Sequence, residues 1–134
     1  MIRLLIPGQP CAKQRPRHGK GYTYTPEKTV NYETFVKELY IIGNYGKQLE
    51  GALEMTVRAY FKIPKSASNK KAYEMGCGSI RPTGKPDWDN IGKILSDALN
   101  GLAYRDDSQI VRATVEKWYS LDPRVEVEIQ EIGV

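Results

Sequence analysis

The side chains with the most chemistry to offer lie in Lys85-Pro86-Asp87-Trp88-Asp89-Asn90-Ile91-Gly92-Lys93, where two carboxylates stand two residues apart as the chain runs into a helix. An extended approach turns Asp87 and Asp89 toward one side, and Lys93, a turn after Asp89, shares its helical face. Asp106-Asp107 follows from a turn ahead of the next strand. Short acids gathered with no His, Cys or Arg in the motif repel one another. A hard divalent cation, Mg²⁺ above all, relieves that repulsion and fills its shell with water and substrate phosphates.

Taken singly, these acids have plainer explanations. Asp89 or Asn90 suits a helix N-cap and Asp106-Asp107 an ordinary turn. Neither accounts for Asp87, ahead of the cap, or for Lys93 on the polar face. Asp97, at i+4 from Lys93, reads as a surface ion pair of about 0.3–0.5 kcal/mol. Two other metal patterns fail on spacing. An EF-hand beginning at Asp87 would place Ile91 and Ala98 where ligands are needed, and a restriction-type nuclease pattern begun at Pro86-Asp87 finds only Glu116-Lys117, without a spacer.

The charge is unevenly spread. The chain has 134 residues, 20 Lys+Arg, 16 Asp+Glu and a formal charge of +4. Five of its six Asp fall between Asp87 and Asp107, whereas the first 25 residues hold five basic side chains and no acid. Lys13, Arg15 and Arg17 alternate along the proline-stiffened segment Lys13-Gln14-Arg15-Pro16-Arg17, which suits a phosphate backbone more than an internal partner. Lys62, Lys65, Lys70, Lys71, Arg81 and Lys85 add positive charge, interleaved with Tyr60, Phe61 and Tyr73. An acid cluster for metal inside a basic field is what a phosphodiesterase acting on nucleic acid requires. Tyr22, Tyr24 and Trp88 are candidates for stacking on bases.

Composition excludes several classes. Hydrophobic residues at 40% and charged residues at 27% are globular values, against a disordered tail or a disulfide miniprotein. Residues 1–134 are expected to form one domain. No apolar run approaches the roughly 18 residues of a membrane span, so an intracellular, cytoplasmic protein without membrane contact is expected. Cys11 and Cys77 make no CxxC pair. The single histidine, His18, sits among Arg17, Gly19 and Lys20 as a solvated or phosphate-facing side chain rather than a catalytic base.

The elements that must hold these residues follow from periodicity. Ile2 to Ile6 reads as a buried strand and Tyr22-Thr23-Tyr24 as a short second one. Thr25 as N-cap and Pro26 at the first helical position begin a helix over 26–42, with Val30, Phe35, Val36, Leu39, Tyr40 and Ile42 as its stripe. Gly51 to Ile63 alternates as a strand, and Lys65 to Tyr73 suits a short helix capped by Ser66. Ile91, Ile94, Leu95, Ala98 and Leu99 stripe the next helix, stopped by Asn100-Gly101. Two strands joined at Asp122-Pro123 close the order. The expected fold is α+β: one mixed sheet packed by two or three helices.

The chain resembles the RusA family of Holliday junction endonucleases. The resemblance rests on Gly8-x-Pro10 with Lys13-x-Arg15-Pro16-Arg17, on Pro86-Asp87-Trp88-Asp89-Asn90-x-x-Lys93, on Asp97-Ala98-Leu99-Asn100-Gly101 and on Asp106-Asp107-Ser108-Gln109-Ile110-Val111. It implies a homodimer that binds four-way junction DNA, with no small-molecule substrate, and nicks two opposing strands with Mg²⁺ or Mn²⁺. By position it implies Asp87, Asp89 and Asp107 as metal carboxylates, Lys93 as the essential lysine, and Lys13, Gln14, Arg15, Pro16, Arg17, Lys85 and Asn90 as DNA contacts. Asp106 competes with Asp107, because the segment from Asn100 to Asp106 varies in length in the family, many of whose members are encoded in prophages. The tract from Lys65 to Ile80 has no counterpart in the pattern. Two rival readings share these residues: a non-catalytic DNA-binding phage regulator, and a nuclease selective for forks or flaps.

Overall fold

A computed structural model describes residues 1–133 of the chain. Its strands are β1 (Ile2–Pro7), β2 (Arg17–Gly19), β3 (Tyr22–Tyr24), β4 (Leu53–Lys62), β5 (Ile110–Ser120) and β6 (Arg124–Glu131); its helices are α1 (Glu27–Asn44), α2 (Asn69–Gly76) and α3 (Trp88–Leu99). A four-stranded mixed sheet runs β1-β6-β4-β5, with β5 parallel to β4 and the other pairs antiparallel. β2 and β3 form a separate hairpin. The α+β class and the mixed sheet expected from sequence are borne out.

Period-two alternation sorts the sheet's faces. Ile2, Leu4 and Ile6, Leu53 to Phe61 at alternate positions, and Val125, Val127 and Ile129 are buried. They join Val36 and Tyr40 of α1 and all five stripe residues of α3 in one core cluster. The opposite face carries Arg58, Arg112 and Arg124 among glutamates and stays partly solvated.

The structure changes several expectations. In α1, Pro26 rather than Thr25 takes the N-cap position, with no side-chain cap, and the helix runs on to Asn44. Val30, Phe35 and Ile42 are exposed, while Thr29, Val36 and Tyr40 are buried. The cause is the loop from Gln9 to Gln14, which lies along the helix and meets Thr29 rather than Val30. The short helix starts four residues later than Lys65 and is capped by Ser68, whose hydroxyl accepts from the Lys71 amide at 3.2 Å; Ser66 is not the cap. α3 starts at Trp88, so neither Asp89 nor Asn90 caps it. The strands flanking Asp122-Pro123 do not pair with each other. Residues 121–123 carry the chain past the end of β4, and β6 returns along that strand's other edge. Arg17–Gly19, to which the periodicity assigns no element, is strand paired to Tyr22–Tyr24 around Gly21, whose φ of +80° suits glycine.

Candidate active site

The site is a cleft between α3 and the first half of β5. Asp89, Gly92, Lys93 and Ser96 line it from the helix, Asp107 from its lower end, Ala113, Thr114 and Val115 from the strand, and Met55 and Val57 of β4 form its floor. α3 reaches this position because its strongly apolar stripe is buried to 0–1% exposure, which leaves the turn bearing Asp89 and Lys93 on the cleft side. Gly92 permits the approach. A Cβ there would lie 3.3 Å from Cγ2 of Val115, so a larger residue would push helix and strand apart.

Asp107 opens a 3₁₀ turn over Asp107–Gln109 that leads directly into β5. Its amide donates to Oδ1 of Asn100 at 3.0 Å, which ties the turn to the end of α3. Gln109 folds its side-chain oxygen back onto the amides of Arg105 and Asp106, at 2.9 and 3.0 Å. The Asp106 carboxylate is occupied within the turn by the Ser108 hydroxyl and faces a different hollow, beside Gln48 and Glu50. Of the acidic pair, the structure therefore brings Asp107 and not Asp106 to the cleft with Asp89 and Lys93. Asn100 and Gln109 were missed as positioning residues. The Asn100-Gly101 pair carries the stronger signal of a helix stop, and nothing in its spacing points to Asp107.

Asp87 stands apart. It takes the N-cap position of α3, where its side chain accepts no capping hydrogen bond and instead meets Nζ of Lys85 at 3.0 Å. Because α3 already begins at Trp88, the two-residue alternation expected to align Asp87 with Asp89 does not hold; a helical step intervenes. Asp89, in the first turn, accepts only from the Asn90 amide at 3.0 Å. Among the described residues neither Asp89 nor Asp107 makes an ion pair.

The donor set is the test of whether a metal suits this cleft. Among the described residues no three His, Cys, Asp or Glu side chains converge as a complete metal cage. Two unpaired carboxylates on one cleft nevertheless fit Mg²⁺, which keeps several waters and takes one or two carboxylates plus phosphate oxygens. Calcium or zinc would ask for more protein ligands, or for nitrogen and sulfur.

The basic loop borders the site and is stitched to it. The Lys13 amide donates to the Asn90 carbonyl at 2.9 Å. The Lys13 ammonium, contrary to the expectation that it lacks an internal partner, pairs with Glu33 at 2.7 Å and Asp97 at 3.2 Å. Burial works against that ammonium, but its hydrogen bonds to Glu33 and Asp97 outweigh the burial and hold its pKa above the ordinary lysine value. Asp97 also meets Lys93 at 3.5 Å, so it links the loop to the cleft. Gln14 bonds Thr29 by its amide and its side chain. Arg15, Pro16 and Arg17 remain exposed. Beyond them stand Tyr22 and Tyr24, 62% and 45% exposed with ring centroids 5.9 Å apart; Trp88 is 65% exposed at the rim of the cleft. His18 is exposed and shares a 3.1 Å hydrogen bond with Thr23.

Comparison with known proteins places this arrangement among the DNA nucleases. A family model described as endodeoxyribonuclease RusA matches residues 7–130, nearly the whole chain. The chain belongs to the RusA family, as the motifs had implied. YqaN of Bacillus subtilis (strain 168), an uncharacterized protein, is 40% identical over 138 residues, covering 98% of this chain and 97% of YqaN. No helix among the described residues is long and apolar enough to cross a membrane.

Proposed function

We propose that the protein is a Mg²⁺- or Mn²⁺-dependent endonuclease that binds four-way DNA junctions as a homodimer and nicks two opposing strands. The observation that carries the reading is the pair of unpaired carboxylates, Asp89 and Asp107, on one cleft with Lys93, in a member of an endodeoxyribonuclease family. Asp89 and Asp107 would hold the ion, and Asp87 would have to leave Lys85 to serve as a third donor. When bound, the ion supplies charge neutralisation at the scissile phosphate and an activated water.

The chain's own residues do the rest. Lys93 faces the phosphate and offsets the charge that develops on its oxygens in the transition state. Asp97 steadies that ammonium and is itself held by Lys13, so Lys13 acts by positioning Asp97 more than by touching DNA. Arg15 and Arg17 are free to grip the backbone, Lys85 would exchange Asp87 for a phosphate, and Tyr22, Tyr24 and Trp88 offer faces to unpaired bases. Two copies related by a twofold axis would aim two clefts at opposite strands, which accounts for paired nicks.

The decisive measurement is cleavage of a synthetic four-way junction, a fork, a flap and a linear duplex, with and without Mg²⁺, by the wild type and by Asp89→Asn. The expected result is Mg²⁺-dependent paired nicking of the four-way junction, lost in the variant while junction binding is kept. Cleavage by Asp89→Asn at the wild-type rate would overturn the assignment; a preference for forks or flaps would overturn the substrate.

A further inference from the structure

The segment from Lys62 to Lys85 holds six basic residues and one acid, Glu74, an excess of five against four for the entire chain. The remainder of the molecule is thus close to neutral. Lys65, Lys70 and Lys71 are exposed, and among the described residues their side chains make no ion pair or hydrogen bond. A net positive patch without internal counterions calls for an external anion.

The segment is not a loose appendage. The Arg81 guanidinium lies 3.4 Å above the Trp118 ring, and its Nε donates to the Lys117 carbonyl at 2.6 Å. A Cβ on Gly78, whose φ is +89°, would fall 2.9 Å from that same ring. Lys117 in turn donates from Nζ to the Gly84 carbonyl at 2.6 Å. Successive strand residues point to opposite faces, so these contacts wrap the segment around the free edge of β5. The chain then runs straight into Asp87.

We infer that this segment is a second DNA contact, in which Lys65, Lys70 and Lys71 grip phosphates of the duplex arm beyond the cut. The inference rests on the nuclease reading of the cleft. β5 supplies the ruler. Thr114 lines the cleft and Trp118 anchors the segment, four residues on, which is about 13 Å at roughly 3.3 Å per residue. Duplex DNA advances about 3.4 Å per base pair, so the anchor is already several base pairs' rise from the cleft, and the lysines meet phosphates of the arm outside the cut itself. The site's loop, with Arg15 and Arg17, and this segment would hold the arm at two separate points.

The test uses the full chain, a four-way junction with long arms and no divalent ion. Salt dependence of binding and a hydroxyl-radical footprint are read for the wild type, for the triple variant Lys65→Ala, Lys70→Ala, Lys71→Ala, and for the triple change to Arg, with melting midpoints to check folding. The alanine variant is expected to lose protection on the arm beyond the cut while keeping it at the cut, and to flatten the salt slope by about 2–3, near 0.9 per phosphate. The arginine variant is expected to restore both. An unchanged slope and footprint in the alanine variant overturns the second contact while leaving the cleft's reading intact. Failure of the wild type to bind any DNA overturns both.

Discussion

Two regions of this molecule carry acids and treat them in opposite ways. On the open face of the sheet each glutamate has a cation: Glu54 with Arg112 at 2.8 Å, Glu116 and Glu128 with Arg58 at 3.2 and 3.5 Å, and Glu126 with Arg124 at 3.0 Å. In the cleft, Asp89 and Asp107 have none among the described residues, although Lys93 stands on the same wall and turns to Asp97 instead. The first set is complete within the fold and needs nothing from outside. The second is left wanting positive charge, and that incompleteness, more than the number of carboxylates, marks a functional site.

The contrast is most exposed to failure at the acidic pair. Asp107→Asn should lower Mg²⁺-dependent cleavage on the order of 10²–10³-fold, the scale of one lost electrostatic contact with the transition state. Asp106→Asn, whose carboxylate is spent on its own turn, should cut at close to the wild-type rate; single-turnover rates on one junction compare the two. Equal losses would erase the distinction drawn between the neighbours.

A smaller effect is expected where the two regimes meet. Lys13→Met strips Glu33 of its cation and Asp97 of the nearer of its two, leaving carboxylates only 15% and 23% exposed, and should cost about 1–2 kcal/mol in denaturant unfolding. The sign of its pH dependence follows from the raised lysine pKa. The contribution is complete below pH 10.5, the ordinary value, and disappears as pH climbs through the raised one, so the two unfolding curves should converge in strong alkali.

The smallest effect belongs to the sheet face. The Arg112 guanidinium, followed by the Gln130 amide, holds the Glu54 carboxyl below its ordinary pKa of 4.5. A lowered carboxylate pKa stabilises above that value and ceases to do so as pH falls through the lowered one. Melting midpoints of wild type and Glu54→Gln should therefore differ slightly at neutral pH and merge in acid. A gap that widens in acid would show that the pair is not what sustains it.

Much of this was legible in the residues. The α3 stripe announced itself because a face of five large and small apolar residues leaves one way to turn the helix, and Asp89 and Lys93 then fall on the cleft side without further assumption. Chemistry-bearing side chains at fixed helical spacing are the easiest to place. What escaped depends on partners far along the chain. The ion pair of Lys13 with Asp97 spans 84 positions, and no local pattern announces it. Asp87 was misjudged by a single residue of helix, enough to exchange a two-residue period for one of 3.6. Arg81 on Trp118 looked like one more surface charge, since only the folded edge of β5 gives it a ring to cover.

The strand order has a further consequence, in time rather than in space. β6, the last of the described strands, lies second in the sheet, and among the described residues it alone pairs with β1. While the polypeptide emerges, the opening strand has no partner and the sheet stays divided until residues 124–131 arrive. Cleft residues on α3 and β5 precede that closure, so a shortened product bears the cleft's carboxylates but lacks the strand that joins the sheet. Long-range pairing of this kind slows assembly and leaves β1 exposed meanwhile. For a member of an endodeoxyribonuclease family, it also means that the sheet behind the cleft is completed only when synthesis has reached its closing strand.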